Sequence, residues 1–274
     1  MDSSKITPNT LLIMKQATKK ICAVVTYSYT MARLADQAGV DLILVGDSAA
    51  RVVLGLPTHA PMRLEDMVYH TQAVSRACQR ACVMADLPQR TMAEGLQACV
   101  SGAMTLISDG DAACIKVEGG STQALRIIEA IAEVGIPVVC HFSMPSTIVD
   151  RLGTYRPWDA SNADSNNKPW NYLEQASRFE SAGSCAMLLS KIDPEIAREI
   201  TLATHIPTIG IGSGPHCDGQ ILVLEDLLGL AQRDHPYYVK KYANLGELAD
   251  QALRTYFQEV RQGIYPEESY SRPN

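Results

Sequence analysis

Three acidic side chains each lie at the end of a short aliphatic run. Asp47 follows LILVG, Asp86 closes ACVMAD and Glu118 closes ACIKVE. Runs of this length and composition are typical of parallel strands that are buried on both faces. Each carboxylate therefore needs a partner, because an isolated buried charge is costly.

Two kinds of partner would satisfy these carboxylates. Each one alone can cap the helix that follows its strand, a common role for aspartate. If all three meet at one place, they raise each other's pKa unless a cation neutralises them, and oxygen donors favour Mg²⁺ or Mn²⁺ over Zn²⁺. Lys116 shares a strand face with Glu118 by the two-residue period of a strand, so its ammonium can hold an anion beside the metal. We predict a Mg²⁺ site, with Mn²⁺, Co²⁺ or Zn²⁺ as alternatives.

Other motifs indicate less chemistry. The glycine-rich stretch IGIGSGPHCDGQ has the spacing GxGxG rather than GxGxxG, and no acidic ribose partner follows a second strand, which argues against a dinucleotide site. The sequence has no CxxC pair for zinc and no GxSxG elbow for a serine nucleophile. The strand-end carboxylates therefore remain the main candidates.

The elements that must position these residues alternate along the whole chain. Eight aliphatic or β-branched runs are separated by segments whose apolar residues recur three and four apart, as in helices with one buried stripe. The runs are CAVVTYS, LILVG, ACVMAD, ACIKVE, PVVCHF, CAMLLS, PTIGIG and QILVL. They predict an α/β fold, a single (β/α)8 TIM barrel over residues 1–274 with N-terminal and C-terminal helical extensions. Chemistry in such barrels gathers at the C-terminal ends of the strands, where these charged residues lie.

Composition and charge argue against two classes of partner. The 274 residues are 46% hydrophobic and 20% charged, an ordinary globular composition. A net charge of -6 gives no basic field for a phosphate backbone, so no nucleic acid is expected. The apolar stretch near the N-terminus, LLIM, is far shorter than the roughly 20 residues that span a bilayer, and it resembles no signal peptide. We expect a cytoplasmic protein with no membrane partner.

Nearly the whole chain resembles the ketopantoate hydroxymethyltransferase (3-methyl-2-oxobutanoate hydroxymethyltransferase) family. The likeness runs in order through VVTYSYTMARLADQAGVDLILVGDS, LEDMVYHTQAV, ADLP, IKVEGG, IPTIGIGSGPHCDGQILVLEDLLG and GIYPEESYS. The resemblance implies a barrel of the phosphoenolpyruvate/pyruvate type, a bound magnesium ion and a role in pantothenate biosynthesis. It implies transfer of a one-carbon unit from 5,10-methylenetetrahydrofolate to a branched 2-oxo acid. It also implies a homo-oligomer, a decamer.

Carried over by position, the resemblance implies a role for each strand-end residue. Asp47 and Asp86 would bind the metal, and Glu118 would complete its sphere. Ser48 and Lys116 would contact the carboxylate or keto oxygen, so the substrate-binding set is Asp47, Ser48, Asp86 and Lys116. These residue types suit the chemistry, because a 2-oxo acid can chelate a hard cation that stabilises the enolate formed at the adjacent carbon. The pocket then aligns the enolate with the one-carbon unit.

The chain departs from the family at the catalytic base. The sixth strand of the family resembles LVLECVP, whose glutamate is the base, whereas this chain reads AMLLSKIDP and places Ser190 there. A serine hydroxyl, with a pKa far above neutral, can only relay a proton to another group. Lys191 is one candidate, although it faces the opposite side if the strand continues through it. A metal-bound hydroxide and a carboxylate from another loop stay open.

Two arginines are gained near the same strand ends. The family segment GDSLGM is replaced by GDSAAR, which introduces Arg51, and ADLPF is replaced by ADLPQR, which introduces Arg90. Either these are solvated surface charges, or they bind a second anionic group, since arginine holds carboxylates through two parallel hydrogen bonds. In the second case the substrate is more acidic than 3-methyl-2-oxobutanoate. The fifth-strand loop also differs, reading CHFSMPST and GTYRPWD, although His141 is kept.

Two classes of function follow from these observations. The first is a metal-dependent enzyme acting on a 2-oxo acid. Its reaction is either hydroxymethyl transfer that gives 2-dehydropantoate, or a related enolate-forming, aldol or lyase reaction on a more anionic acid. The second class is a 2-oxo acid binding protein that lost turnover together with its base. We favour the enzyme.

Overall fold

The computed structural model describes residues 4–143, 171–231 and 236–270. Eight strands in this part of the chain form one parallel barrel, which closes where the first strand pairs with the last. The strands are β1 Ile21–Val25, β2 Leu42–Val45, β3 Cys82–Asp86, β4 Cys114–Glu118, β5 Val138–Ser143, β6 Ser184–Ser190, β7 Thr208–Ile211 and β8 Gly219–Val223. The predicted (β/α)8 barrel is therefore confirmed, including the eighth strand.

Helices alternate with these strands along the chain. In the described residues they are α1 Pro8–Gln16, α2 Tyr29–Gln37, α3 Ala49–Val52, α4 Leu64–Ala77, α5 Gln89–Ala93, α6 Leu96–Ser108, α7 Thr122–Glu133, α8 Tyr172–Ser181, α9 Pro194–Ala203, α10 Leu224–Leu227 and α11 Leu245–Gln262. Ser28, Ser121 and Asp193 precede α2, α7 and α9, and each accepts backbone N–H groups from the first turn of its helix. These caps fix where each helix leaves its preceding strand.

Strand register brings the charged strand-end residues side by side. Asp86 of β3 is level with Lys116 of β4, and Glu118 of β4 is level with His141 of β5. Because all strands are parallel, their C-terminal ends open at one rim of the barrel, as expected for this fold. We call the part of this rim formed by the ends of β2 to β6 the mouth.

The chain divides into two compact units, Met1–Val223 and Leu224–Asn274. The first contains the barrel, and the second contains α10, α11 and a short 3-10 helix, Glu268–Tyr270. The expectation of one domain over residues 1–274 stays a prediction. The loop segments MPST and GTYRPWD that differ from the family lie outside the described residues. Among the described helices, none combines the length and the apolar character needed to cross a bilayer.

Candidate active site

Asp86 lies at the centre of the polar groups in the mouth. Its Oδ1 is 2.6 Å from Nζ of Lys116, and its Oδ2 accepts the backbone N–H of Asp47 at 2.9 Å. Both Asp86 and Lys116 are buried. Gly46 permits this approach, because a Cβ there would lie only 2.8 Å from Oγ of Ser48 and 3.4 Å from Oδ2 of Asp86. A side chain at position 46 would therefore displace the Ser48 hydroxyl.

Burial controls the charge state of this group. It raises the pKa of Asp47 and that of Asp86, and the charge of Lys116 opposes both shifts. Glu118 adds to the rise at Asp47, and Asp47 adds to the rise at Asp86. Burial acts to lower the pKa of Lys116, but Asp86, Glu118 and Asp47 outweigh it, so the pKa lies well above its usual value. Lys116 is therefore a permanent cation.

Glu118 is the third acidic group of the mouth. Burial acts to raise its pKa, but Lys116 and a hydrogen bond with Gln89 oppose burial, and the pKa lies below its usual value. Three carboxylates therefore lie around the Lys116 ammonium. A divalent cation bound among them would stabilise the ionised form of all three.

The donor set fits a magnesium ion better than a transition metal. In the described residues no three His, Cys, Asp or Glu side chains form a ready-made ligand cluster. Magnesium does not require one, since it usually takes one or two protein carboxylates and completes its shell with water and substrate oxygens. Asp47 and Asp86 are adjacent and buried, and they meet that requirement. The predicted roles of Asp47, Asp86 and Glu118 as metal ligands stay predictions.

Ser48 is held by the first strand unit. Its Oγ is 2.8 Å from the phenolic oxygen of Tyr27, and either atom can be the donor. The backbone carbonyl of Tyr27 in turn accepts from Nδ1 of His70 at 2.9 Å. The Ser48 side chain does not cap α3. Its hydroxyl is therefore positioned at the mouth by a tertiary contact and takes no part in capping the helix.

Two histidines at the mouth complete the set of polar groups. His59 lies in the loop before α4, and its Nδ1 is 3.4 Å from Oδ1 of Asp47. Nδ1 of His141 lies 3.3 Å from Nζ of Lys116, and because an ammonium only donates, this nitrogen is the acceptor. Burial, then the charge of Lys116, lowers the pKa of His141 to about 3. The ring is therefore neutral with its proton on Nε2, and that buried atom has no hydrogen-bond partner in the described part of the chain.

The end of β6 differs from the expectation for a continuing strand. The strand ends at Ser190, and Lys191 adopts a left-handed conformation with φ 57°. In a continuing strand, the side chains of Ser190 and Lys191 would point to opposite faces. Because the strand ends at Ser190, this alternation does not extend to Lys191. Burial, then the charge of Arg51, lowers the pKa of Lys191 to about 8, while Glu118 opposes both. Lys191 and Arg51 thus belong to the electrostatic environment of the mouth.

Arg90 has a different environment. Its Nε lies 3.9 Å from Oε1 of Glu94, one helical turn further on, and both side chains are more than half exposed. Such exposed pairs contribute little free energy. The contact favours the interpretation of Arg90 as a surface charge, and its proposed contact with a second anion stays a prediction.

Tyr27 and His141 lie near the ends of the runs CAVVTYS and PVVCHF, so the sequence already places them at the C-terminal rim, but they were given no role. His59 was missed, because it lies in the loop GLPTHAPMR, where neither a strand end nor a motif marks it.

The fold defines a class of protein. Similar solved structures include 2,3-dimethylmalate lyase, described as a PEP mutase/isocitrate lyase superfamily member, with a TM-score of 0.59, 17% identity and coverage of 97% of this chain and 92% of that chain. Phosphoenolpyruvate phosphomutase from Streptomyces platensis subsp. rosaceus has a TM-score of 0.60 and 15% identity, with 97% and 92% covered. This likeness concerns the fold alone, and it places the chain among the (β/α)8 barrels.

Sequence comparison then identifies the family. The sequence model described as Ketopantoate hydroxymethyltransferase matches residues 5–268. The 3-methyl-2-oxobutanoate hydroxymethyltransferase of Thermoanaerobacter sp. (strain X514) is 40% identical over 97% of this chain and 96% of its own length. That of Moorella thermoacetica (strain ATCC 39073 / JCM 9320) is 41% identical over 98% of each chain. The chain belongs to the ketopantoate hydroxymethyltransferase family, a family of transferases.

Proposed function

We propose that this protein transfers a hydroxymethyl group from 5,10-methylenetetrahydrofolate to 3-methyl-2-oxobutanoate, or to a close 2-oxo acid analogue, giving 2-dehydropantoate or its counterpart. The named relatives support the hydroxymethyltransferase reaction. The observation that carries the finer proposal is the buried group of Asp47, Asp86 and Lys116 at the ends of three neighbouring strands. It combines a fixed cation for a carboxylate with acidic oxygens for a metal.

Asp47 and Asp86 would hold a divalent cation, with Glu118 completing the donor set. Magnesium suits these oxygen donors first, with Mn²⁺, Co²⁺ or Zn²⁺ as alternatives. When bound, such a cation supplies Lewis-acid stabilisation of an enolate. The adjacent, buried positions of Asp47 and Asp86 support this assignment, because buried carboxylates need a cationic partner.

The chain's own donors would orient the 2-oxo acid. Lys116 stays charged and would bind the carboxylate, while Ser48, held by Tyr27, would add a hydroxyl. The Nε2–H of His141 is a buried donor that a keto or enolate oxygen would satisfy. Because these groups are already fixed by protein contacts, little reorganisation is needed when negative charge develops on that oxygen.

Hydrogen exchange at the carbon next to the keto group tests the first half of the reaction without folate. Mg²⁺ and 3-methyl-2-oxobutanoate together are expected to cause loss of the methine proton signal in heavy water, followed by proton NMR. Asp86→Asn is expected to abolish this exchange, whereas Glu133→Gln, an exposed carboxylate at the end of α7, is expected to leave it unchanged. Lack of exchange with every monoanionic and dianionic 2-oxo acid tried would overturn the proposal. Adding 5,10-methylenetetrahydrofolate and detecting 2-dehydropantoate by mass spectrometry tests the second half.

A second candidate is an enolate-forming, aldol or lyase reaction on a more anionic 2-oxo acid. The observation in its favour is the position of Arg51. Its charge acts to lower the pKa of both His59 and Lys191, so the guanidinium belongs to the surroundings of the mouth. An arginine there would hold a second carboxylate. In the same exchange assay, Arg51→Gln would weaken a dianionic acid selectively, and Arg198→Gln on the exposed surface of α9 serves as the charge-matched control. Equal effects of Arg51→Gln on monoanionic and dianionic acids would exclude this candidate.

A further inference from the structure

The proposed reaction needs a group that accepts the proton from the substrate carbon, and most polar groups of the mouth are unsuited to that task. Both carboxylate oxygens of Asp86 are occupied, one by Lys116 and one by the Asp47 backbone. Lys116 stays protonated, and the lowered pKa of His141 makes it a weak base. Asp47 is assigned to the cation together with Asp86.

Lys191 differs from these groups in its backbone. It is a non-glycine residue in the left-handed region, at φ 57°. Such a conformation is sparsely populated and persists only where surrounding contacts fix it. Here the N–H of Lys191 donates to the carbonyl of Ile211 at 2.8 Å, and the N–H of the next residue, Ile192, donates to Oγ of Ser213 at 3.0 Å. The same hydroxyl donates to the carbonyl of Leu189 at 2.9 Å.

These contacts clamp the chain on both sides of Lys191. The clamp turns the backbone immediately after Ser190, and the half-buried lysine remains within the electrostatic range of mouth residues on three other elements. They are Arg51 on α3, Glu118 on β4 and His141 on β5. A conformation that is costly for lysine is thus maintained at the end of a barrel strand, where this fold places its chemistry.

We propose that Lys191 is the catalytic base, taking the place of the carboxylate that the chain lacks at Ser190. This inference rests on the proposed function. The neutral amine of Lys191 takes the proton from the carbon next to the keto group, so a C–H bond breaks, an N–H bond forms and the electron pair remains in the enolate. Water adds to 5,10-methylenetetrahydrofolate, and its two C–N bonds to the one-carbon unit break to leave formaldehyde and tetrahydrofolate. The enolate then adds to formaldehyde, so a C–C bond forms while the C=O π bond breaks, and the Lys191 ammonium returns the proton to the resulting alkoxide.

The charges around Lys191 suit a base that works near neutral pH. Burial and Arg51 lower the pKa of Lys191 to about 8, and Glu118 opposes them. His141 is neutral over the working range. A general base is most effective when its pKa lies near the operating pH. Exchange at the substrate carbon is therefore expected to rise with pH and to level off above about 8.

Lys191→Met tests the proposal in the exchange assay. Methionine, like lysine, has a side chain that is not branched at Cβ, so the free-energy cost of the left-handed backbone conformation at this residue is unchanged. We expect exchange to fall by roughly 100-fold or more, the typical contribution of a general base. Lys19→Met, at an exposed lysine beyond α1, is the matched control and should leave the rate unchanged. Oxalate, a planar dianion resembling the enolate, should still bind the Lys191→Met protein with Mg²⁺ in calorimetry.

Each outcome of this comparison is decisive. Undiminished exchange in Lys191→Met overturns the proposal, and so does loss of oxalate binding, which would make Lys191 a binding residue. Absence of exchange in the unmodified protein would instead overturn the proposed function.

A chemically modified variant tests whether the pKa of the amine at position 191 sets the pH dependence of exchange. Lys191→Cys alkylated with 2-bromoethylamine carries an amine less basic than that of lysine. Its exchange activity should return, with the rising limb of the pH profile moved to lower pH. The unmodified protein given the same treatment controls for alkylation at the exposed Cys22. An unshifted pH profile in the restored protein contradicts a role for this amine in proton transfer.

Discussion

At the scale of single residues, the mouth consists of groups whose charges depend on one another. Lys116 keeps its proton because carboxylates surround it, and Asp86 is tolerated in a buried position because Lys116 is 2.6 Å away. Removing one partner of such a pair costs more than the pair itself contributes, because the other charge stays buried and unpaired. The site is therefore expected to respond strongly to single substitutions and less strongly to paired ones.

Lys116→Met tests this dependence. It leaves Asp86 buried without its cation, so we expect the free energy of unfolding in urea to fall by about 3–5 kcal/mol. Lys116→Met combined with Asp86→Asn removes both charges and is expected to recover part of that loss. If the double variant is as unstable as the sum of the two single variants, the two side chains are not coupled in this way.

Tyr27→Phe removes only the hydroxyl that contacts Ser48 at 2.8 Å. A net hydrogen-bond contribution of about 0.5–1.5 kcal/mol corresponds to roughly twofold to tenfold weaker binding of the 2-oxo acid if Ser48 contacts it. Calorimetry with Mg²⁺ and 3-methyl-2-oxobutanoate measures this change. Tyr69→Phe, at an exposed tyrosine of α4, provides the control. An unchanged dissociation constant in Tyr27→Phe would show that Ser48 needs no such positioning.

At the scale of elements, a single carboxylate joins α2 to the start of β3. Asp36 accepts the backbone N–H groups of residues 79, 80 and 81 at 2.9, 3.1 and 2.7 Å. Burial acts to raise the pKa of Asp36, but these hydrogen bonds outweigh it and hold the pKa below its usual value. The contact fixes the segment that leads into the strand carrying Asp86.

Asp36→Ala is expected to lower the free energy of unfolding at pH 7 by about 2–4 kcal/mol, because charge-assisted hydrogen bonds are lost and their donors are left unpaired. Since the folded-state pKa is depressed, this stabilisation is complete above the unfolded-state pKa and is lost as pH falls through the folded-state value. The difference between wild type and variant in urea should therefore shrink below about pH 4. Glu133→Ala, at an exposed carboxylate, should show no such dependence. A difference that stays constant down to pH 3 would contradict the mechanism.

The strands and helices could be predicted from the sequence more completely than the contacts within the site. The eight runs predicted the strands because buried parallel strands carry continuous aliphatic segments, and strand ends pointed to Asp47, Asp86, Lys116 and Glu118. Sequence reasoning did not reach contacts that depend on register or on loop conformation. His59 approaches Asp47 from a loop with no periodic pattern, and the left-handed turn at Lys191 depends on hydrogen bonds from Ile211 and Ser213 on the neighbouring segment. Those bonds require β6 and β7 to lie side by side in the correct register.

At the scale of the whole molecule, the two compact units differ in how they use apolar side chains. The barrel unit, Met1–Val223, buries aliphatic residues from every strand. In α11 of the second unit, Gly246 is the buried residue of the helix. Apolar side chains along one stripe of α11 are between 46% and 53% exposed in the single chain, namely Leu253, Tyr256, Phe257 and Val260. Helices gain most of their stability from packing such a stripe, so this one is expected to be covered in an assembly.

The assembly expected from the family resemblance is a homo-oligomer of ten copies. Light scattering after size exclusion should then give a mass that is a multiple of 29.8 kDa. Phe257→Glu places a charge in the apolar stripe of α11 and should shift the protein to smaller species, because a charge without a partner is costly in a buried interface. Gln251→Glu adds the same charge on the opposite side of the helix and should leave the mass unchanged. A monomer in the unmodified protein would contradict the expected oligomer, and an unchanged mass in Phe257→Glu would show that this stripe lies outside the interface.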